Sequence, residues 1–303
     1  MEPGRRAVLR AAALIGAGIA FRPCMAEAPL LSKKIPATGE ALPVIGLGTW
    51  QTFDVGEDAA ARAQLAEVLQ ALADAGAQVV DSSPMYGTSE SVAGELVARL
   101  GLRERLFIAT KVWTSGREEG LRQIEESFRR LQVERMDLMQ VHNLLDAETQ
   151  TRTLLALKER QKVRYVGITH YTASAFPEVE RRLKAGRYDF LQINYSLGDR
   201  EAENRVLPLC RDLKVAVLIN RPFGQGGLFG RTRGKPLPPW AAELGIASWA
   251  QFFLKWIVSH PAVTCAIPGT AKPAHMKDNL GAARGALPDE TMRKRMADYF
   301  DSV

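Results

Sequence analysis

Residues 105–142 read RLFIATKVWTSGREEGLRQIEESFRRLQVERMDLMQVH, and this stretch decides the fold. It opens and closes with short apolar runs, RLFIATK and RMDLMQVH, and the segment between them repeats apolar residues with the period of an α-helix. Short apolar runs that alternate with amphipathic helices are typical of buried parallel strands. The runs end on Lys111 and His142, and packing alone explains neither residue well at the end of a buried strand.

The same alternation extends over most of the chain. Eight strand-like runs follow one another: VIGLG (44–48), QVVD (78–81), LFIATK (106–111), MDLMQVH (136–142), VRYVGIT (163–169), DFLQIN (189–194), VAVLIN (215–220) and VTCAIP (263–268). Eight β/α repeats in about 250 residues predict an α/β protein with a closed (β/α)8 TIM barrel. Upstream of the first run, Thr38-Gly39-Glu40 predicts the turn of an N-terminal β-hairpin.

A doubly wound Rossmann sheet is the alternative fold. It requires a G-x-G-x-x-G turn after the first strand, whereas this chain has GLGTW (46–50) there. The glycine-rich stretch GQGGLFG (224–230) follows the seventh strand-like run and is not followed by a helical pattern. We therefore predict that it is a mobile loop that opens no helix and binds no phosphate.

Four polar residues, Asp81, Tyr86, Lys111 and His142, stand at or just after the ends of three consecutive predicted strands. Because the carboxyl ends of barrel strands meet on one face, we expect one shared site. A free Tyr has a pKa of about 10, and a nearby Lys ammonium lowers that value. An Asp that holds the Lys, and a His that bonds the same substrate oxygen, suit a reaction that protonates an oxygen on carbon, such as carbonyl reduction.

These residues stand in a pattern that resembles the aldo-keto reductase family. The shared motifs are GLGTW (46–50), Asp81 with Tyr86 and Glu90, Lys111 in ATKVW, DLMQVH (137–142), GIT (167–169), Gln192, and IPG (267–269) followed by Asp278-Asn279. The resemblance covers residues 36–287. It implies an NADPH-dependent oxidoreductase that reduces an aldehyde or ketone to an alcohol.

The resemblance also implies a role for each site residue. Tyr86 would be the general acid, Lys111 would lower its pKa, Asp81 would hold Lys111, and His142 would orient the carbonyl. Thr169 and Gln192 would hold the nicotinamide carboxamide. The other implied cofactor contacts are Thr49, His170, Pro222 and Phe223, together with Pro268, Gly269, Thr270, Asp278 and Asn279 near the adenosine phosphate.

The sequence departs from the family pattern in the cofactor region. Asn220 stands where the family often has an aromatic residue that stacks on the nicotinamide, and Phe223 is the candidate substitute. Gly269 and His275 stand where the family often has a Lys and an Arg for the 2′-phosphate, and Lys272 or Lys277 can supply a cation instead. We therefore expect NADPH as the cofactor, with NADH still open.

The first 28 residues differ from the rest of the chain. Arg5-Arg6 precede an Ala/Gly-rich apolar run (11–21) that is shorter than the about 20 residues needed to span a bilayer. Small residues follow at 26–28, and GRRAVLR (4–10) resembles the twin-arginine pattern. We expect a signal peptide at 1–28, a barrel domain at 29–303, twin-arginine export and a periplasmic location, with a cytoplasmic location as the alternative.

The charge and composition of the chain indicate which classes of partner and ligand to expect. The formal net charge is +6, and the four Arg and two Glu of the leader leave +4 for the remainder. This weak basic bias slightly favours anionic ligands, and without interleaved aromatic residues it predicts no nucleic acid partner. The sequence carries no HxH, HExxH or Cys/His cluster and predicts no metal site. We expect a small-molecule carbonyl substrate and no membrane span in the mature chain.

Two other functions stay open on the sequence alone. A barrel aldolase would use Lys111 as a Schiff-base nucleophile, but it would give Asp81, Tyr86 and the 267–279 segment no role. A non-catalytic barrel of the same family would bind the nucleotide or a partner without turnover. The sequence identifies neither the substrate nor the oligomeric state.

Overall fold

An antiparallel hairpin begins the part of the chain that the computed structural model describes, residues 29–303. Its strands, β1 (Ser32–Lys34) and β2 (Ala41–Pro43), pair Lys33 with Leu42. Gly39 in the turn has a φ of +77°, a left-handed conformation that glycine adopts without a steric penalty. The predicted hairpin is therefore confirmed. The predicted export signal, residues 1–28, lies outside the described residues.

Eight parallel strands follow the hairpin and pair in chain order. They are β3 (Leu47–Gly48), β4 (Val79–Asp81), β5 (Phe107–Val112), β6 (Met136–Val141), β7 (Val163–Thr169), β8 (Phe190–Asn194), β9 (Ala216–Asn220) and β10 (Cys265–Ala266). Two parallel bridges, Ile45 with Ala266 and Gly48 with Gly269, join the last segment to the first and bring the sheet round to a barrel. The predicted (β/α)8 fold is confirmed, and the Rossmann alternative is wrong.

Helices lie between the strands along the chain, and two more follow the last strand. The helices are α1 (Ala59–Asp74), α2 (Ser89–Arg99), α3 (Arg117–Leu131), α4 (Ala147–Glu159), α5 (Phe176–Lys184), α6 (Val206–Leu213), α7 (Gly227–Arg231), α8 (Trp249–Ser259), α9 (Pro273–Gly281) and α10 (Glu290–Ser302). In α3, Ile124 and Leu131 are buried, while Glu125 and Arg129 face solvent, as the helical period predicts. None of the helices in residues 29–303 is both long and apolar enough to cross a membrane.

The core has two parts, because each strand points side chains alternately to the barrel interior and to the surrounding helices. The larger cluster lies where the strands meet the helices. The smaller one includes the stacked rings of Phe107 and Tyr165, together with Phe190. Ile35 and Leu42 belong to the smaller cluster, so the hairpin packs its apolar side chains against the barrel interior.

The structure corrects one prediction about the glycine-rich stretch 224–230. It forms a 3-10 turn, Gly224–Gly226, and then opens the short helix α7 at Gly227. Positive φ angles at Gly224, Gln225 and Gly226 turn the chain sharply before the helix begins. The sequence prediction missed this helix because five residues are too few to show a helical period.

Candidate active site

A pocket of about 570 Å³ opens at the carboxyl ends of the strands. Asp81 ends β4, Lys111 lies one residue before the end of β5, and His142 follows β6 as the first residue of a 3-10 turn. Tyr86 lies in the loop between β4 and α2. Asp81, Tyr86 and His142 line the pocket, and Lys111 lies directly behind Asp81. The structure therefore brings together the four residues that the sequence singled out.

A buried ion pair forms the base of the site. The Nζ atom of Lys111 donates to Asp81 Oδ2 at 2.7 Å and to the main-chain oxygen of Ser82 at 2.6 Å. The other carboxylate oxygen of Asp81 accepts from the side-chain amides of Gln192 at 2.9 Å and Gln140 at 3.3 Å. Burial alone would lower the pKa of Lys111, but Asp81 and Tyr86 outweigh it and raise that pKa. Lys111 is therefore an ammonium at neutral pH.

Tyr86 lies above this ion pair. Lys111 Nζ is 5.1 Å from the centroid of the Tyr86 ring. Burial raises the pKa of Tyr86, the charge of Lys111 opposes that rise, and the net shift is upward. The Lys111 ammonium therefore lowers the pKa as the sequence predicted, but loss of water on burial outweighs that contribution. The phenol is protonated at neutral pH and has a proton to donate.

His142 is neutral in this site. Burial is the largest cause that lowers its pKa to about 2, and the charge of Lys111 acts in the same direction. Its Nδ1 atom lies 3.0 Å from the hydroxyl of Ser83. The ring meets Tyr86 edge to face at a centroid distance of 5.9 Å. When the Ser83 hydroxyl donates to Nδ1, Nε2 carries the hydrogen and can donate to a carbonyl oxygen.

The predicted cofactor residues divide into two groups. Those that line the pocket are Thr49, Thr169, Gln192, Pro222, Phe223 and Gly269. Those outside its lining are His170, Pro268, Thr270, Asp278 and Asn279. Gln192 donates to Asp81, a contact that its position in the sequence did not reveal.

Four residues of the second group lie in or just before α9: Pro268 and Thr270 precede it, and Asp278 and Asn279 lie near its end. Thr270 accepts from the main-chain nitrogen of Lys272 at 3.1 Å, in the turn that precedes this helix. Asp278 accepts from Ser248 and from Gln251, each at 2.8 Å, and so ties α9 to the first turn of α8. These bonds give Asp278 a structural role besides the one that the sequence implied.

Asn220 ends β9 and lines the pocket, where the sequence indicated a missing aromatic. Its side-chain nitrogen donates to the main-chain oxygen of His170 at 3.1 Å. Phe223 also lines the pocket and packs on Phe229 at a centroid distance of 4.9 Å. Sequence reasoning missed the pocket residue Arg221, although its place directly after a barrel strand was a usable signal.

Comparison with known proteins shows to which family the chain belongs. The sequence profile of the Aldo/keto reductase family matches residues 44–296. The chain belongs to the aldo/keto reductase family. Methylglyoxal reductase YeaE of Escherichia coli is 31% identical to this aldo/keto reductase over 256 residues, which cover 82% of this chain and 88% of the relative. The sequence-based prediction of an oxidoreductase of this family is confirmed.

Solved aldo/keto reductase structures share the fold. One from Klebsiella pneumoniae in complex with NADPH has a TM-score of 0.76 and 26% identity, and the match covers 90% of this chain and 96% of that chain. A second from the same organism, in complex with NADP and acetate, has a TM-score of 0.73 and 28% identity over 86% of this chain and 93% of that chain.

Proposed function

We propose that this aldo/keto reductase reduces an aldehyde or ketone to an alcohol, with a hydride from NADPH and a proton from Tyr86. The observation that carries the proposal is the buried pair of Lys111 and Asp81 beneath the Tyr86 phenol. It is an arrangement for stabilising a phenolate after the proton has left. The neutral His142 beside the phenol supplies a hydrogen-bond donor for the carbonyl.

The pocket suits a nicotinamide. Asn143 and Asn220 both line it, and the side-chain oxygen of each is buried without a hydrogen-bond partner among the described residues. Unpaired buried acceptors are costly, and the amide hydrogens of a carboxamide fit them. When bound, NADPH supplies a hydride to the carbonyl carbon. The residues Thr169 and Gln192 would lie beside the same carboxamide, as the family resemblance implies.

The proton step follows from the chain's own residues. His142 holds the carbonyl oxygen, and as that oxygen gains negative charge, Tyr86 transfers its phenolic proton to it. The resulting phenolate faces the ammonium of Lys111, which Asp81 keeps in place. The carbonyl is reduced by two electrons, and the alcohol gains one hydride and one proton. Solvent then reprotonates Tyr86.

NADPH is preferred over NADH in this proposal on two grounds. Two similar solved structures hold NADPH or NADP. In addition, Lys272 just before α9 and Lys277 in its middle are exposed in the region where the sequence places the adenosine phosphate. A phosphate needs a nearby cation, and these side chains can supply one.

The aldolase alternative is disfavoured by the state of Lys111. A Schiff-base lysine must lose its proton to attack a carbonyl. Here the ammonium donates to a carboxylate and to a main-chain oxygen, and its pKa is raised. The amine is therefore unavailable as a nucleophile.

The decisive experiment is NADPH oxidation with a panel of aldehydes and ketones, beginning with methylglyoxal because a relative is named for it. Tyr86→Phe should lower kcat about 10²-fold or more, since a general acid contributes that much. Tyr188→Phe, which also loses one hydroxyl bond, is the matched control and should stay active. Binding of NADPH without oxidation across the whole panel would instead support the non-catalytic alternative.

We further propose that residues 1–28 direct export to the periplasm by the twin-arginine route. The support is the Arg5-Arg6 pair ahead of a short apolar run. This route carries folded proteins, so we expect the cofactor to be loaded before export and to be retained tightly.

A further inference from the structure

The pocket wall carries one uncompensated charge. Among the residues that line the pocket, Asp81 and Arg221 are the ones with a formal charge, since His142 is neutral. The charge of Asp81 is balanced by Lys111 at 2.7 Å. Within residues 29–303, no carboxylate lies within 4 Å of the Arg221 guanidinium, so its positive charge faces the pocket without a partner.

Arg221 is held by stacking instead. Its guanidinium carbon lies 4.2 Å from the centroid of the Tyr171 ring, and Tyr171 in turn stacks on His170 at 5.4 Å. The backbone of Arg221 has a φ of +49°, in the left-handed region that a non-glycine residue seldom adopts. Such conformations cluster at functional sites. The chain thus adopts an unfavourable backbone conformation at the residue whose guanidinium lines the pocket.

The chemistry of the side chain identifies its ligand. A guanidinium has five N–H donors in a planar fork that matches a carboxylate or a phosphate. In the described part of the chain, none of the side-chain donors of Arg221 bonds to a protein acceptor. A half-buried, stacked guanidinium with unused donors is pre-organised for an anionic oxygen pair. Its field also reaches Tyr86, where it lowers the pKa of the phenol against the larger effect of burial.

The pocket that Arg221 lines also carries large apolar side chains. Exposed large apolar side chains are few among residues 29–303, and five of the six line this pocket: Trp50, Met85, Trp113, Tyr171 and Phe229. A ligand that fills the pocket would therefore place an apolar body against these side chains and an anionic group on Arg221.

We propose that Arg221 binds an oxyanion carried by one of the two reactants, either a carboxylate on an apolar carbonyl substrate or the diphosphate of the dinucleotide. This inference rests on the proposed reductase function. Both sources present paired anionic oxygens, and the two can be separated by experiment.

The test uses the full chain and three variants. Arg221→Met removes the charge and keeps the length, and Arg221→Lys keeps the charge and loses the fork. Arg295→Met is the matched control, because Arg295 also stacks on an aromatic ring, Trp240 at 4.5 Å, but lies on α10 outside the pocket lining. The substrate probes are para-carboxybenzaldehyde and its methyl ester. Dissociation constants for NADPH and for both aldehydes come from quenching of tryptophan fluorescence, without turnover.

If the substrate supplies the oxyanion, Arg221→Met should weaken binding and kcat/KM for the carboxylate aldehyde about tenfold or more relative to its ester. The NADPH dissociation constant should then be unchanged. If the dinucleotide supplies it, that constant should rise by a similar factor, and both aldehydes should lose kcat/KM equally. Arg221→Lys should show a smaller loss in either case.

Unchanged affinities for NADPH and for the carboxylate aldehyde in Arg221→Met would overturn the inference. So would equal losses in Arg295→Met. A wild-type protein that binds these ligands but oxidises no NADPH would contradict the proposed reductase function instead, while the dissociation constants would still test Arg221.

Discussion

The hydroxyl of Ser83 lies 3.0 Å from Nδ1 of His142, and both residues are buried. Ser83 follows β4 in the chain and His142 follows β6, so the bond links the ends of two strands. It fixes the orientation of the imidazole and decides which ring nitrogen faces the carbonyl.

Loss of this bond should affect turnover more than folding. We expect Ser83→Ala to lower kcat/KM about two- to tenfold, since a neutral hydrogen bond contributes about 0.5–1.5 kcal/mol. Steady-state kinetics with one aldehyde checks this. Ser174→Ala, an exposed serine outside the pocket lining, is the control and should match the wild type. A wild-type rate in Ser83→Ala would mean that His142 needs no such orientation.

The ion pair beneath Tyr86 should be sensitive to the removal of one partner. Lys111→Met leaves the Asp81 carboxylate buried and unpaired, which typically costs about 3–5 kcal/mol of unfolding free energy. Urea denaturation should show this loss. The double variant Asp81→Asn with Lys111→Met should recover part of the stability and none of the activity. Equal stabilities of the single and double variants would contradict the coupling.

The pH dependence of kcat/KM should reflect a protonated phenol. Because the pKa of Tyr86 is raised above its ordinary value of about 10, the acid form persists through neutral pH and is lost only in strongly alkaline solution. The His142 pKa of about 2 predicts no inflection from that imidazole near neutrality. A loss of activity near the ordinary pKa of His that is absent in His142→Gln would refute this assignment.

Acid should destabilise the fold through the buried imidazoles. The pKa is lowered to about 2 at His142 and to about 4 at His260, in both cases chiefly by burial. Below the ordinary His pKa of about 6.5, the unfolded chain binds protons that the native state does not, so stability falls with pH. For His142 the loss should approach about 1.4 kcal/mol per pH unit between the two pKa values. Chemical denaturation from neutral pH down to pH values near 4 should show a shallower decline in His142→Gln.

Lys255 should be important for stability and not for chemistry. This fully buried side chain donates to the main-chain oxygens of Leu244 at 2.7 Å, Arg284 at 2.6 Å and Ala286 at 3.1 Å. Lys255→Met strips a donor from three acceptors, and we expect a loss of about 2–4 kcal/mol in unfolding free energy. Lys294→Met, at an exposed position on α10, should cost little. An unchanged urea midpoint in Lys255→Met would show that other donors replace the ammonium.

The strand-end residues could be predicted because their positions follow from chain order alone. Asp81, Lys111 and His142 close apolar runs, and parallel strands bring those ends together whatever the details of packing. The contacts of Gln140 and Ser83 could not be predicted, since they depend on side-chain rotamers across neighbouring strands. The lowering effect of Lys111 on the Tyr86 pKa could be predicted, but the larger effect of burial could not, because burial has no local signature in the sequence.

The predicted cofactor residues show a second limit of prediction from the sequence. The resemblance assigns Asp278 to the nucleotide, and the structure shows in addition that its carboxylate bonds to Ser248 and Gln251 at the start of α8, which the sequence did not indicate. Arg221 was overlooked although its neighbours Asn220, Pro222 and Phe223 were singled out, because the family pattern assigns no role to a charge at that position. Its unpartnered charge becomes visible only when the surrounding carboxylates can be located in space.

The bridge between Gly48 and Gly269, which closes the barrel, joins residues far apart in the sequence and therefore forms late in folding. A side chain at Gly48 would bring its first carbon within 2.8 Å of the Ile267 oxygen, so the two backbones meet closely there. The partners stand at opposite ends of the described chain, and such distant pairing slows folding. Until the segment around Gly269 is in place, β3 pairs only with β4 and its other edge stays open. That interval is when the nascent chain is most exposed to aggregation, and when a chaperone has most to contribute.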